Sequence, residues 1–290
     1  MALERHYGLA HGASLVLLAL TATLFLFLAA LYALKLRSHF GRVMEEWHHP
    51  VRRSFFPAIA IGLLLIATGT VPHRPDVALP LWAVGAALQL AFTLLILRAW
   101  IDRTHTVAQL NPGWFIPAVG NIVVPLAGAP LGFFEISFFF FATGLLFWLI
   151  LVTLVFNRLV FHDPLPERLL PTLVILVAPP AVGFLAWLRL SGEPDLFAHL
   201  LLDLALFFAL LVATLARRLL AVPFGLPAWA WSFPLAAFTA ACLHYAAHHG
   251  GGFFAGLGTG AYLVLCGVMI ALTVRTLLWV REGGPCRPES

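Results

Sequence analysis

Again and again the chain strings together about twenty consecutive apolar residues, and a segment of that kind has few places to go. A helix rises about 1.5 Å per residue, so about twenty residues cross roughly 30 Å of hydrocarbon. Nine such runs occur, at about 9–36, 51–71, 77–100, 111–130, 133–157, 169–190, 195–219, 227–248 and 253–279. Charged residues make up 10% of the sequence and apolar residues 61%, whereas soluble domains carry about 25% charged residues. A water-soluble globule is excluded. A β-barrel would show short alternating strands in place of unbroken runs. The first run is too long for a signal peptide and lacks a small-residue cleavage site, so it reads as a span. The connections are short, and residues 1–290 are expected to form a single all-α transmembrane domain.

The basic residues orient it. On one set of alternate loops stand Lys35, Arg37, Arg42, Arg52, Arg53, Arg98, Arg103, Arg158, Arg168, Arg217 and Arg218, joined by Arg275, Arg281 and Arg287 at the C-terminal end. The other side has Arg5, Arg74 and Arg189. Cytoplasmic loops carry the excess of Lys and Arg, so the C-terminus is expected in the cytoplasm and Met1 outside. The net charge of +4 lies in membrane loops and does not indicate nucleic acid. Cys242, Cys266 and Cys286 have no paired spacing, which implies neither disulfide nor metal site.

Prolines add a second regularity. Pro57, Pro117, Pro180 and Pro234 fall in the second, fourth, sixth and eighth runs, each opening a similar phrase: PAIA, PAVG, PAVG or PLAA. Among the other runs only the third has a proline of its own near its start, Pro80. The unit is a hairpin of one kinked and one straight helix, repeated. A kink frees backbone groups that lipid cannot satisfy, so the kinked helices belong inside, around an axis, with the straight ones against lipid. Plain packing kinks are the alternative. The array also lacks a kinked helix before the first span; a complete one would have five hairpins and ten helices.

The stretches "HPVRRSFFPAIAIGLLLIATG" (49–69), "LNPGWFIPAVGNIVVPLAG" (110–128), "PTLVILVAPPAVGF" (171–184) and "WSFPLAAFTAA" (231–241) resemble the tellurite-resistance and C4-dicarboxylate transporter family. That family includes bacterial TehA proteins, the slow-type anion channels of plant guard cells, and fungal sulfite and malate transporters. The resemblance runs from about residue 10 to 280. It implies ten helices arranged as five hairpins with the inner helices forming a pore, a homotrimer, and residence in a bacterial inner membrane. It also implies that the phenylalanine before the eighth-span proline, Phe233, plugs the pore; an ordinary packing aromatic is the competing reading. Phe56, Ile116 and Pro179 hold the equivalent positions in the other repeats, and Gly120, Asn121 and Gly183 follow on the expected pore wall.

The cores of the kinked helices carry almost no ionisable residue; Asn121 and Thr68 are polar residues there. Intramembrane charges mark the path of a coupled transporter, so a neutral conduit for small inorganic or organic anions is expected. Outward-turned amides, helix N-termini and the excess of cytoplasmic cations would favour anions. Glu135 reads as starting its helix, and the pair His199 and Asp203, one turn apart, as a polar tie or a proton site. His244, His248 and His249 lack a completing ligand for zinc and read as mouth residues; His48 and His49 read as loop residues. The glycine-rich stretch 250–260 has no P-loop lysine.

An anion channel or channel-like transporter is therefore the leading expectation. The alternative is a proton-coupled carrier or exporter of tellurite, sulfite or malate. A membrane enzyme or haem protein would need facing histidine pairs or an H-E-x-x-H motif, and neither occurs, so no enzymatic activity and no cofactor are expected.

Overall fold

The computed structural model describes residues 12–250 and 252–282; Met1, Arg5, Cys286 and Arg287 lie outside them. The described residues are helical, with no strand. Helix α1 spans Gly12–Ser38 and α2 Phe40–His48. A 3-10 turn, Arg52–Phe55, leads into α3, Ala58–Thr70, and α4 follows at Pro75–Asp102. The next segment is broken into four pieces: a 3-10 turn Pro112–Trp114, α5 at Phe115–Val119, a 3-10 turn Gly120–Val123, and α6 at Pro125–Gly128. Then come α7, Phe134–Phe161, and a 3-10 helix Glu167–Val177 running into α8, Ala178–Ser191. Helix α9 is Leu196–Thr214 and α10 Ala216–Leu220; a 3-10 turn Leu226–Trp231 enters α11, Ser232–His249, and α12 closes the bundle at Gly252–Arg281.

Eight of the resulting spans are long and apolar enough to cross a membrane. The ninth run is the shorter broken segment Pro112–Gly128, whose winding changes three times. Burial separates inner from outer elements. The span Glu167–Ser191 has 89% of its apolar window inside the protein, whereas α1 and α12 have 6%. An apolar helix that exposes nearly its whole circumference needs a hydrocarbon solvent, which places α1 and α12 against lipid.

The four prolines that open the repeated phrases do not sit in helix interiors, unlike Pro80 in α4. Pro57 is the N-cap of α3, and Pro117, Pro180 and Pro234 are each the third residue of α5, α8 and α11. The first turn of a helix has no intrahelical acceptors for its N–H groups, so a proline there sacrifices nothing. The expected kinks are thus junctions: a 3-10 stretch precedes the α-helix that each proline opens. Successive kinked segments pack on one another, while the first and fourth share no packed seam.

One element was absent from the sequence reading. The loop holding His48 contains α2, whose Val43 is buried and whose Trp47 stacks edge-on against Phe56 with centroids 5.1 Å apart. Phe40, Val43, Met44 and Trp47 follow an i, i+3, i+4, i+7 pattern that marks an amphipathic helix.

Candidate functional site: an apolar conduit

All four proline-opened segments contribute to one cavity of about 410 Å³. From the first come Phe55, Ala58, Ile61, Gly62 and Leu65, the last four forming one helical face at i, i+3, i+4 and i+7. The second supplies Phe115, Ile116, Val119, Gly120, Ile122 and Val123, and the third Ile175, Ala178, Pro179 and Val182. The fourth supplies Leu226, Pro227, Trp229, Ala230, Phe233 and Pro234. Among the described residues, no charged side chain lines this space. A second hollow of about 580 Å³, lined by Glu167, Arg168 and a proline-rich rim, shares Pro227 with it.

The expected wall residues divide. Ile116, Gly120, Pro179 and Phe233 line the cavity. Phe56 does not. The 3-10 turn before it winds more tightly than an α-helix, which brings Phe55 to the cavity and sends Phe56 into a cluster with Trp47, Tyr32 and Phe92. Gly183 also faces away: a Cβ there would lie 3.6 Å from Leu201, so the glycine sits at the contact with outer helix α9.

Asn121 is fully buried but is not part of the cavity wall. Its amide donates to the Thr93 hydroxyl at 3.0 Å and to the Ala118 carbonyl at 2.7 Å. On the same outer helix, Gln89 Nε2 donates to the Pro117 carbonyl at 3.1 Å. The straight helix α4 thus serves polar backbone groups that the broken segment exposes, as the absence of water in a bilayer requires. Thr68 bonds the Leu64 carbonyl on its own helix and, among the described residues, nothing else.

Trp229 is the wall residue with a polar anchor, its indole N–H donating to Thr276 on α12 at 3.0 Å. No signal in the apolar phrase around it marked this role. Glu135 lies in the first turn of α7. His199 joins α9 to α11 through a 2.7 Å hydrogen bond between its Nε2 and the Tyr245 hydroxyl, and Tyr245 stacks on His249 at 4.4 Å. His48 ends α2, and His49 Nδ1 accepts the Val51 and Arg52 backbone N–H groups.

A bundle of helices long and apolar enough to cross a membrane thus encloses, between its broken inner segments, a cavity lined by uncharged residues. The chain belongs to the voltage-dependent anion channel family, whose SLAC1 model matches residues 1–277. It is 32% identical over 232 residues to the S-type anion channel SLAH3 of Arabidopsis thaliana, covering 78% of this chain and 36% of that protein. With SLAH2 of the same plant the identity is 33%, covering 80% and 44%. The tellurite resistance protein TehA homolog of Haemophilus influenzae is 28% identical, covering 95% of this chain and 84% of that one. The chain spans less than half the length of the two plant relatives.

Proposed function

We propose that this chain conducts small anions through the apolar cavity, as a channel or channel-like transporter in which Phe233 is the gate. One observation carries the reading: Phe233 stands on the wall of a cavity to which all four proline-opened segments contribute. A passage without fixed charge gives an anion nothing to bind tightly, so transit is limited by dehydration at the narrowest apolar point. Helices α3 and α8 open on the wall at Ala58 and Ala178, and α11 opens beside Phe233; their positive N-terminal ends lower that cost for an anion. Ile116, Gly120 and Pro179 line the passage beside the gate.

The working unit in this reading is a homotrimer in a bacterial inner membrane with the C-terminus cytoplasmic. The count of basic residues supports the orientation, and a C-terminal reporter active only outside the cytoplasm would reverse it. A proton-coupled carrier of tellurite, sulfite or malate is the second reading; the hydrogen-bonded pair His199 and Tyr245, one turn from Asp203, favours it. The reversal potential of the reconstituted protein in asymmetric chloride, nitrate, sulfite and malate tests both. A channel follows the anion gradient alone, whereas a coupled carrier also responds to an imposed pH gradient.

A further inference from the structure

Arg53 is 4% exposed, and neither hydrogen bond nor ion pair holds its side chain among the described residues. Among the described residues the other cations without a bonded partner, such as Arg103 and Arg168, are exposed. Arg42, Arg74 and Arg98 each bond a carboxylate, Lys35 bonds Glu46, and buried Arg158 donates to the Val107 carbonyl. A buried charge without a partner is costly, and the usual remedy is a counter-charge at hydrogen-bonding distance. None of the Arg53 nitrogens is sealed from solvent, so the stem is buried while the guanidinium edge meets an opening. A second cation, Arg103, exposed just past the end of α4, acts on Arg53 electrostatically.

The location matters. The turn Arg52–Phe55 packs against the turn Pro112–Trp114 and against α5, so Arg53 lies where the first two kinked segments begin. Two residues later Phe55 is already on the cavity wall. Arg158 donates to the Val107 carbonyl in the loop that follows Arg103.

We propose that Arg53, seconded by Arg103, is an anion-binding site at the mouth of the conduit, selective for planar oxyanions. A guanidinium offers parallel N–H donors that match two oxygens of a nitrate or a carboxylate, whereas a spherical halide uses them less well. The bound ion exchanges part of its hydration shell for these donors before it meets the apolar wall. This site rests on the reading of the cavity as an anion path, but binding at Arg53 is measurable without transport.

The test is the thermal stability of the purified full chain in detergent, with nitrate replacing chloride at constant ionic strength. Nitrate raises the Tm of the wild type; Arg53→Gln abolishes the shift and Arg103→Gln weakens it. In nitrate-free buffer Arg53→Gln is at least as stable as the wild type, because it removes a buried charge that has no partner. Arg53→Lys keeps the charge and loses the preference for nitrate over chloride. In proteoliposomes the nitrate concentration for half-maximal flux rises about tenfold in Arg53→Gln, with the maximal rate unchanged. An Arg53→Gln protein that keeps the nitrate shift, loses stability without nitrate or fails to fold overturns the site. A wild type that shows the nitrate shift but no flux refutes the conduit reading and leaves the site standing.

Discussion

The Thr93 hydroxyl lies 2.7 Å from the Pro117 carbonyl, joining a straight outer helix to the break in the second kinked segment. It shares its proton with the Gln89 carbonyl, also at 2.7 Å, and accepts the Asn121 amide at 3.0 Å. Gln89 supplies a second donor to Pro117. The broken segment is therefore not a weakness in the bundle, since its exposed backbone is served from the helix beside it. Whatever holds Pro117 also positions Ile116 and Gly120, which line the cavity.

Replacing Thr93 by Val keeps the shape and deletes the hydroxyl, leaving the Asn121 amide one acceptor short in a buried site. A lost buried hydrogen bond of this kind costs about 1–3 kcal/mol. Thr93→Val and Gln89→Leu should each lower the melting temperature in detergent. The double variant should lose less than the sum, because both side chains serve one carbonyl. Strict additivity in the melting curves would show that the two act separately.

The two glycines assigned to the wall make opposite predictions. A Cβ on Gly120 would stand 2.8 Å from Ile61 Cδ1 and 3.0 Å from Gln89 Nε2, too close for both to stay in place. Gly120→Ala should push Ile61 into the cavity it lines and reduce anion flux. At Gly183 the nearest atoms are Leu201 methyls at 3.6 Å, an ordinary contact. Gly183→Ala should leave flux intact and stabilise α8 by about 0.5–1 kcal/mol, the usual helical advantage of alanine over glycine. Paired flux and melting measurements on the two variants decide it; equal flux in both would place Gly120 off the path.

These glycines show where sequence reasoning reached and where it stopped. Apolar runs and the recurring proline phrase were enough to identify the spans and the four segments that meet at the cavity, because burial in hydrocarbon leaves so few alternatives. Direction within a segment was not legible. Phe56 occupies the same place in its phrase as Phe233, yet a 3-10 turn rotates it onto Trp47, and nothing in the letters RRSFFP announces that winding. Asn121 in an apolar helix looks alike whether it faces a pore or a neighbour. The readable clue lay elsewhere: Gln89 and Thr93, polar and one turn apart on an otherwise apolar helix, asked for a partner.

Outside the membrane, Asp195 carries a pH signature. As N-cap of α9 its carboxylate accepts the Ala198 N–H at 2.9 Å and the Trp187 indole N–H at 2.9 Å. The Ala198 bond, with the indole in support, holds the carboxyl below its ordinary value. The resulting stability is complete above the unfolded value of about 3.9 and disappears as pH falls through the lowered one. Asp195→Asn keeps an acceptor oxygen without the charge. Its melting temperature should trail the wild type by a constant margin at neutral pH, and the margin should close in strong acid. A margin that widens on acidification would mean that another group is responsible.

Phe233 and Phe238 share α11 but differ in what surrounds them. Phe233 lines the cavity, while Phe238 is 4% exposed within the core. Pro234 opens the helix at this point, so the backbone ahead of it comes off the 3-10 turn and holds the Phe233 ring at the passage. If that ring is the gate, removing it lowers the dehydration barrier, and every 1.4 kcal/mol removed raises the rate about tenfold. Phe233→Ala should then conduct anions many-fold faster while remaining folded, since its ring is only partly packed. Phe238→Ala should cost about 3–5 kcal/mol through the core cavity it leaves and should not raise conductance per folded molecule. The comparison is anion flux into proteoliposomes at matched amounts of folded protein. Flux that is unchanged or lower in a folded Phe233→Ala protein would assign the gate to another wall residue, with Trp229, held by Thr276, the next to test.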